Sequence, residues 1–335
     1  MISNSRILIT GGFGFIGGHL AALLSNSSLG NNLVLFDTNI GPQTTGADLA
    51  LGLLKNIEVV KESILSTTDT DKLGKDFDYI IHAAGFLGID LVGEKQLLNM
   101  DINVIGTKNC LELAAKQNAL KKFVHFSTSE IYGVNSRDSV ENNDSVIPTI
   151  GKRWSYAASK LAGEYYVKAY AQEFGVNSVI VRPFNVYGSY RHSSNAMTKL
   201  ISQAINGDSI TINNDGNQLR AWCHISDFCN GVIELMGAST KPGEAFNIGD
   251  DRHCMSIKEL ALKIVALTDS DSDINVLNNL SEDVLERSPN IEKAKRAIGY
   301  APSHDLEKGI LSVADWLRVN SGNVTKENSD EYATI

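Results

Sequence analysis

The stretch Arg6-Ile-Leu-Ile-Thr-Gly-Gly-Phe-Gly-Phe-Ile-Gly17 contains the strongest fold signal in this sequence. Its first five residues have the apolar pattern of a short buried strand, and Gly11, Gly14 and Gly17 follow at intervals of three. The apolar spacing over 19–24 then predicts a helix. A strand, a glycine turn and a helix in this order bring backbone N–H groups and a helix N-terminus to a place where they can bind a pyrophosphate.

A second apolar run, Leu33-Val-Leu-Phe36, ends at Asp37. An acid at the end of the second strand can accept hydrogen bonds from the ribose hydroxyls of an adenine dinucleotide. Thr38 and Asn39 follow Asp37, so no arginine stands there to bind a 2′-phosphate. The sequence therefore favours NAD over NADP as the cofactor.

Strand-like and helix-like segments alternate along the first half of the chain. Further strands are predicted at 57–60, 79–85, 123–126 and 178–183, and a long helix is predicted at 96–117. This alternation predicts an α/β fold with a doubly wound parallel sheet. Later segments predict helices at 197–206, 227–236 and 257–267, the last with Ser256 as its N-cap, and strands at 209–212, 218–225 and 245–248.

The composition limits the classes of partner. The chain has 335 residues and a formal net charge of -9, which argues against a general nucleic-acid-binding protein because such a protein needs a basic face. The four cysteines show no C-x-x-C pair, so we expect free thiols in a reducing compartment and no metal site. No apolar stretch approaches about 18 residues, and no signal peptide is recognisable, so we expect a cytoplasmic protein without membrane contact.

Tyr156 and Lys160 are candidate catalytic residues. They lie one helical turn apart, so the phenol and the ammonium group share a face of the predicted helix. A fixed cation favours the phenolate, which makes Tyr156 a candidate general base. The pair alone is more typical of an exposed helix face, and its context decides. A polar cluster, Ser127-Thr-Ser-Glu-Ile-Tyr-Gly133, follows the strand at 123–126, where α/β sheets place their chemistry.

Five motifs stand in one order along the chain. They are Thr10-Gly-Gly-Phe-Gly-Phe-Ile-Gly17, His82-Ala-Ala84, Ser127-Thr-Ser-Glu-Ile-Tyr-Gly133, Tyr156-x-x-x-Lys160 and Arg182-Pro-Phe-Asn-Val-Tyr-Gly188. Together they resemble the extended short-chain dehydrogenase/reductase family, in particular its nucleotide-sugar epimerases, dehydratases and decarboxylases. The resemblance implies a Rossmann-type NAD-binding domain at 1–182 and a smaller α/β nucleotide-sugar-binding domain at 183–320. Segments around 213–250 are expected to cross back to the first domain, and 321–335 to form a polar tail.

The resemblance also implies roles for individual residues. The general base matches Tyr156, the lysine that binds the nicotinamide ribose matches Lys160, and the hydroxyl that contacts the sugar O4 matches Thr128. The implied cofactor-binding residues are Gly11, Gly14, Phe15, Ile16, Gly17, Asp37, Ala83, Ala84, Tyr156 and Lys160. Asn185, Arg220 and Arg287 match residues that contact the diphosphate and nucleoside. Helices near 96–117 and 154–173 resemble the family's dimer interface and imply a homodimer.

The residues after Thr128 bear on the choice of reaction. The shared first step oxidises the sugar at C4 to a ketone, with Tyr156 as the base. Related dehydratases carry Thr-Asp-Glu, whereas Ser129 and Glu130 match the Thr-Ser-Glu of UDP-uronate decarboxylases. Glu130 could be a base near C5, a group acting on the carboxylate region, or a structural residue. The segment 86–92 contains no arginine or lysine for a substrate carboxylate, which counts against a uronate.

We therefore favour a UDP-uronate decarboxylase, with Thr128, Ser129, Glu130, Tyr156 and Lys160 as its catalytic residues. Epimerisation of a UDP-hexose or its uronic acid is the next alternative, and a C5-directed nucleotide-sugar dehydratase with Glu130 as base is the third. A non-enzymatic relative that binds NAD as a sensing or structural ligand is the alternative from another class, and the intact catalytic set counts against it.

Overall fold

The computed structural model describes residues 2–39, 56–67, 70, 72–190, 195–277 and 283–320. The polar tail expected at 321–335 lies outside the described residues. Within these ranges, no helix has the length and hydropathy needed to cross a lipid bilayer.

A seven-stranded sheet forms the centre of the molecule. Its strands follow the order β11-β6-β5-β4-β1-β2-β3, and every neighbouring pair is parallel. The strands of the chain are β1 (Arg6–Thr10), β2 (Asn32–Asp37), β3 (Ile57–Lys61), β4 (Tyr79–His82), β5 (Lys122–Phe126), β6 (Ser178–Pro183), β7 (Val186–Tyr187), β8 (Ile210–Asn213), β9 (Leu219–Ala221), β10 (Cys223–His224), β11 (Glu244–Ile248), β12 (Cys254–Ser256), β13 (Ile274–Leu277) and β14 (Glu286–Arg287). The predicted α/β fold with a parallel sheet is confirmed.

Both faces of the sheet are covered, which explains why the central strands β1, β4, β5 and β6 are almost fully buried. Ile7 and Ile9 belong to one buried cluster, whereas Leu8 between them belongs to another on the opposite face. The strand order reverses at β1, whose neighbours are β2 on one side and β4 on the other. The carboxyl ends of β1 and β4 therefore form the topological switch point, where α/β sheets bind their ligands.

The helices pack around this sheet and around a second core in the C-terminal part. They are α1 (Phe15–Leu24), α2 (Ile89–Glu94), α3 (Gln96–Met100), α4 (Thr107–Ala115), α5 (Trp154–Phe174), α6 (Ala196–Asn206), α7 (Ile225–Gly237), α8 (Ile257–Thr268), α9 (Glu292–Ile298) and α10 (Leu306–Asn320). Short 3₁₀ turns form at Ser27–Leu29 and Ser129–Tyr132. The predicted N-cap of α8 is confirmed, because Ser256 and Glu259 form a reciprocal capping box.

The single helix predicted at 96–117 is wrong in one respect. A π-helical segment, Asp101–Gly106, separates α3 from α4. The Asn103 carboxamide accepts a hydrogen bond from the Phe86 N–H and donates one to the Phe86 carbonyl. The Asn103 side chain is therefore buried. Thr107 Oγ1 donates to the Asn103 carbonyl at 2.7 Å. The extra residue of the π turn is accommodated by these side-chain hydrogen bonds, which helical periodicity alone does not predict.

The strand predicted at 218–225 is divided in two. β9 pairs with β12 and β14, whereas β10 pairs with β7, and Trp222 between them is buried in the C-terminal core. β8 and β13 form a separate parallel pair.

After β10 and α7, the chain returns to the main sheet as β11. β11 is the edge strand beside β6, and α7 packs against α1. The expected crossing of segments around 213–250 and the domain boundaries at 182 and 320 stay predictions.

Candidate active site

The glycine turn after β1 requires glycine at positions 11 and 17. Gly11 has φ +68°, and a Cβ on it would lie 2.6 Å from the Ala84 backbone nitrogen. A Cβ on Gly17 would lie 2.1 Å from the Gly11 carbonyl oxygen. Both distances are far below van der Waals contact, so the turn holds β1, α1 and the end of β4 together at the switch point. Ala83 and Ala84 are thereby placed beside the turn.

The N-terminus of α1 is open to an anion. Gly14 is its N-cap, no side chain caps it, and its first turn contains no acidic residue. Phe15 and Ile16 begin the helix, so their backbone amides lie at the positive end of the helix dipole. This end of the helix can therefore receive a phosphate group.

Asp37 ends β2 beside the glycine turn. Its Oδ2 accepts a hydrogen bond from the Phe13 N–H at 3.0 Å, and its Oδ1 accepts one from the Asn39 N–H at 3.2 Å. Burial raises the pKa of Asp37, although the backbone N–H groups of Asn39, Phe13 and Thr38 oppose the increase. The two backbone hydrogen bonds fix the direction of the carboxylate at the edge of the pyrophosphate site.

Lys160 is buried at the carboxyl end of β5 and does not lie on an exposed helix face. Its Nζ donates to the Phe126 carbonyl at the end of β5, at 2.9 Å. The side chain is buried, and desolvation lowers the pKa of Lys160 to about 8. A Cβ on Gly85 would lie 3.0 Å from Lys160 Nζ, so a small residue is needed there. Tyr156, one turn earlier on α5, is half-buried against the core on that face of the sheet.

Asn103 joins three parts of this site. Its Nδ2 donates to Ser159 Oγ at 3.1 Å, and Ser159 Oγ donates to the Tyr156 carbonyl at 2.8 Å. The hydrogen bonds of Asn103 to Phe86 extend the link to the loop after β4. This residue therefore positions the helix that carries Tyr156 and Lys160.

The turn after β5 carries Thr128, Ser129 and Glu130. Thr128 Oγ1 accepts a hydrogen bond from the Glu130 N–H at 3.2 Å and caps the 3₁₀ turn, and α5 packs against that turn. Thr128 and Ser129 are buried. Tyr132, at the end of the turn, donates from its hydroxyl to Asn247 Oδ1 on β11 at 2.7 Å.

A buried ion pair between Arg182 and Glu164 is hydrogen-bonded to the end of the 3₁₀ turn. Arg182 donates to both carboxylate oxygens of Glu164 at 2.8 and 2.7 Å. Its Nη1 also donates to the Tyr132 hydroxyl at 2.8 Å. β6, α5 and the 3₁₀ turn are therefore held in one arrangement.

Five charged side chains meet beside this turn, and we name them the arginine cluster: Arg153, Arg220, Arg287, Glu130 and Asp283. Glu130 lies 3.1 Å from Arg153 Nη2 and 2.8 Å from Arg287 Nη1. Asp283 lies 3.2 Å from Arg153 Nη1 and 2.7 Å from Arg220 Nη2. Three cations and two anions leave one positive charge among them, which suits an anionic ligand.

The electrostatics of the cluster keep Glu130 ionised. Burial favours the neutral acid, but Arg287 and Arg153 outweigh it and lower the pKa of Glu130. On Arg287, the Nε and Nη2 atoms are buried and have no hydrogen-bond partner in the described part of the chain. These two atoms form one edge of the guanidinium group, the edge that can bind a carboxylate or phosphate with two parallel hydrogen bonds.

Asn185 lies next to this cluster. Its backbone has φ +36°, and its Nδ2 donates to the Ala221 carbonyl at 2.9 Å. Ala221 follows Arg220 on β9, and Arg220 is paired with Arg287 of β14. The three residues predicted to bind substrate are thus brought together, and the ion pair between Arg287 and Glu130 joins them to the catalytic turn.

Comparison with known proteins places the chain in a family. A family model described as the NAD dependent epimerase/dehydratase family matches residues 7–249. The chain belongs to the NAD dependent epimerase/dehydratase family.

Relatives within this family carry out different reactions. The chain is 32% identical to a UDP-N-acetyl-alpha-D-glucosaminuronate decarboxylase of Bacillus cytotoxicus, over 94% of this chain and 98% of the relative. It is 30% identical to UDP-glucuronic acid decarboxylase 6 of Arabidopsis thaliana, over 96% and 91%. Among solved structures, it is similar to UDP-glucuronic acid 4-epimerase from Bacillus cereus in complex with UDP-glucuronic acid and NAD, with a TM-score of 0.84, 30% identity, and coverage of 94% and 99%.

The cofactor of this epimerase/dehydratase family is NAD, and the residues of this chain fit it. Gly11 and Gly17 allow a turn so tight that a Cβ on either would collide with backbone atoms, the α1 N-terminus has no side-chain cap, and Asp37 is directed by two backbone amides. Lys160 is buried at the carboxyl end of β5, next to the switch point. NAD would be held between the glycine turn, the α1 N-terminus, Asp37 and Lys160.

Three residues of the site were not found from the sequence. Asn103 lies inside the helix predicted at 96–117, and the low helix propensity of asparagine is the only sequence signal at this position. Arg153 precedes Tyr156 by three residues, a spacing that places both on one helix face. Asp283 carried no recognisable signal. The segment 86–92 contributes no cation, but Arg153, Arg220 and Arg287 bring three cations to the site from distant segments.

Proposed function

We propose that this protein is an NAD-dependent UDP-uronate decarboxylase that oxidises its substrate at the sugar C4. One observation carries the proposal: Glu130 is held by Arg153 and Arg287 while the Nε and Nη2 edge of Arg287 stays buried and available to an anion. The two decarboxylases among the relatives support the same reaction. A uronate adds a carboxylate to the diphosphate of a UDP-sugar, so a cluster rich in arginine suits it.

The first step needs a base at the C4 hydroxyl. Tyr156 removes this proton as a phenolate, and the Lys160 ammonium stabilises that phenolate because it is a fixed, buried cation. In this proposal the Thr128 hydroxyl hydrogen-bonds the sugar O4. NAD⁺, when bound, takes up the hydride that leaves C4. The sugar becomes a 4-keto uronate.

The second step requires little from the protein. The carboxylate of the 4-keto uronate lies β to the ketone, so the bond between C5 and C6 breaks, carbon dioxide leaves, and the electron pair passes to the C4 oxygen as an enolate. Glu130 is a weak base while two guanidinium groups hold it ionised. Ser129 offers no acid for a departing hydroxyl group. Both features support decarboxylation over dehydration with Glu130 as base.

Epimerisation at C4 is the second candidate, and one observation favours it. The similar Bacillus cereus structure is a UDP-glucuronic acid 4-epimerase, so this fold and a uronate substrate also occur together in an epimerase. Decarboxylase and epimerase share the C4 oxidation and differ in whether the keto sugar loses carbon dioxide before reduction.

Product analysis separates these functions. The purified protein is incubated with NAD⁺ and a panel of UDP-, dTDP- and GDP-sugars, and the products are identified by mass spectrometry. Loss of carbon dioxide from UDP-glucuronate supports the proposal, an isomer of unchanged mass supports the epimerase, and loss of water supports the dehydratase. If no sugar is converted and Tyr156→Phe behaves as wild type in cells, the enzyme hypothesis is wrong and an NAD-binding sensor remains.

We also propose a homodimer through α3, α5 and the π segment. α3 packs against α5, and these helices expose large apolar side chains, with Leu97 81% and Tyr165 65% exposed. Apolar side chains at this exposure are typical of a covered interface. A cytoplasmic location stays a prediction of the sequence.

A further inference from the structure

Arg153 is the one arginine of the arginine cluster to which the family resemblance assigns no role. It is the N-cap residue of α5, three residues before Tyr156, and its side chain is only 10% exposed. Its guanidinium group lies 5.0 Å from the centre of the Trp154 ring. It contacts one acid of the catalytic turn, Glu130, and one acid before β14, Asp283. Arg153 therefore joins the catalytic half of the site to the half that carries Arg220 and Arg287.

The charges around Glu130 must change when a substrate anion arrives. Arg287 contacts Glu130 through Nη1, while its Nε and Nη2 atoms have no partner in the described residues. An anion bound at that edge shares the charge of Arg287 with Glu130. When the anion at this edge is the carboxylate of the sugar, it lies near a second carboxylate, and like charges in a buried site disfavour each other strongly. A cation that stays with Glu130 removes this conflict.

We propose that Arg153 is a positioning residue that makes the site specific for a sugar with a carboxylate, because it compensates the charge of Glu130 while Arg287 binds the substrate. A neutral hexose brings no second carboxylate and does not need this compensation. The inference rests on the substrate class of the proposed function, a UDP-uronate, and not on the fate of the 4-keto sugar.

Equilibrium binding tests the inference. Every variant also carries Tyr156→Phe, so that bound sugar is not converted, and isothermal titration calorimetry in excess NAD⁺ measures the Kd of UDP-glucuronate, UDP-glucose and UDP. We expect the protein to prefer UDP-glucuronate over UDP-glucose. Arg153→Met should reduce this preference by at least about tenfold through weaker binding of the uronate, the size expected when a buried charge pair loses one partner. Affinity for UDP-glucose and UDP should be retained.

A coupled variant and a matched control make the test specific. Adding Glu130→Gln to Arg153→Met removes the charge that needs compensation, so UDP-glucuronate binding should recover. Arg137→Met is the control, because Arg137 pairs with Glu286 near the same strand yet is 83% exposed. Melting temperature and NAD⁺ affinity check each fold. If Arg153→Met does not fold, Arg153→Gln takes its place with the same expectation.

Four results would overturn the inference. They are an unchanged preference in Arg153→Met, an equal loss for both sugars and UDP, no recovery on adding Glu130→Gln, and no preference for the uronate before Arg153 is changed. The proposed function fails separately, when wild-type protein releases no carbon dioxide from UDP-glucuronate. A protein that epimerises UDP-glucuronate would reject that function and leave the role of Arg153 standing.

Discussion

Arg220 and Arg287 lie opposite each other in the parallel ladder of β9 and β14, and both side chains are buried. Paired residues of neighbouring strands project from the same face of a sheet, so the two guanidinium groups approach the site together. Asp283 contacts Arg220, and Glu130 contacts Arg287, so neither cation is buried without a counter-charge. The pairing of β9 with β14 thus brings two arginines to the same face of this small sheet.

Arg287→Met should weaken UDP-sugar binding about 10- to 100-fold, because a hydrogen bond to a charged group contributes about 1.5–3 kcal/mol. NAD⁺ binding should not change, since Arg287 is remote in sequence from the glycine turn and belongs to the substrate side of the site. Calorimetry with UDP-glucuronate and with NAD⁺ measures both affinities. Arg137→Met serves as the exposed control, and an equal effect of the two substitutions would contradict a specific role for Arg287.

The free energy of unfolding should change with pH in the alkaline range because Lys160 is buried. Its pKa in the folded protein is lowered by burial from 10.5 to about 8, so between these values the unfolded chain binds the additional proton. Stability attributable to this residue should therefore rise with pH across that window, by roughly 3 kcal/mol, and be at its lowest below pH 8. Urea unfolding at several pH values, compared with Lys160→Met, measures the difference. Parallel curves for the two proteins would show that Lys160 is not desolvated.

Gly11→Ala should abolish NAD⁺ binding. Its φ of +68° costs an alanine about 1–2 kcal/mol, and the added Cβ would collide with the Ala84 backbone nitrogen. Gly175 ends α5 with the same φ of +68°, but a Cβ added there would meet no atom within 4 Å, so this position isolates the backbone cost. Gly175→Ala should lose stability but retain NAD⁺ affinity. Equal retention of NAD⁺ by both variants would mean that the turn can relax.

Glu164→Gln should destabilise the protein by about 3–5 kcal/mol, because it leaves the buried Arg182 guanidinium with an uncompensated charge. Asp315→Asn breaks the exposed pair with Arg318 and should cost less than about 1 kcal/mol. Chemical denaturation measures both values. A small effect of Glu164→Gln would indicate that Tyr132 and the backbone alone can support Arg182.

Leu97→Glu should convert the homodimer to a monomer, since it places a charge in the centre of the proposed helical interface. Val319→Glu is the control, because Val319 is 84% exposed on α10, which packs against α6 and α8. Light scattering at micromolar protein concentration gives the mass of each variant. A monomeric wild-type protein, or dissociation caused by Val319→Glu alone, would refute this interface.

Features that are local along the chain could be predicted from the sequence. The glycine turn between β1 and α1, the acid at Asp37 and the pair of Tyr156 and Lys160 each occupy a contiguous segment or one helical turn. Glycine spacing, strand hydrophobicity and the helical period express such features directly. The NAD-binding half of the fold and the family could therefore be predicted before any contact was known.

How distant segments combine could not be predicted from local patterns and is seen only in the folded structure. The arginine cluster joins residues from the turn after β5, the start of α5, β9 and the segment before β14, and no local period links them. The π segment depends in the same way on Asn103 reaching Phe86 and Ser159. Local patterns report which face of an element is buried, whereas the pairing of buried charges depends on how the elements pack together. The substrate choice that we propose rests on Arg153 and its neighbours, which only the folded chain brings together.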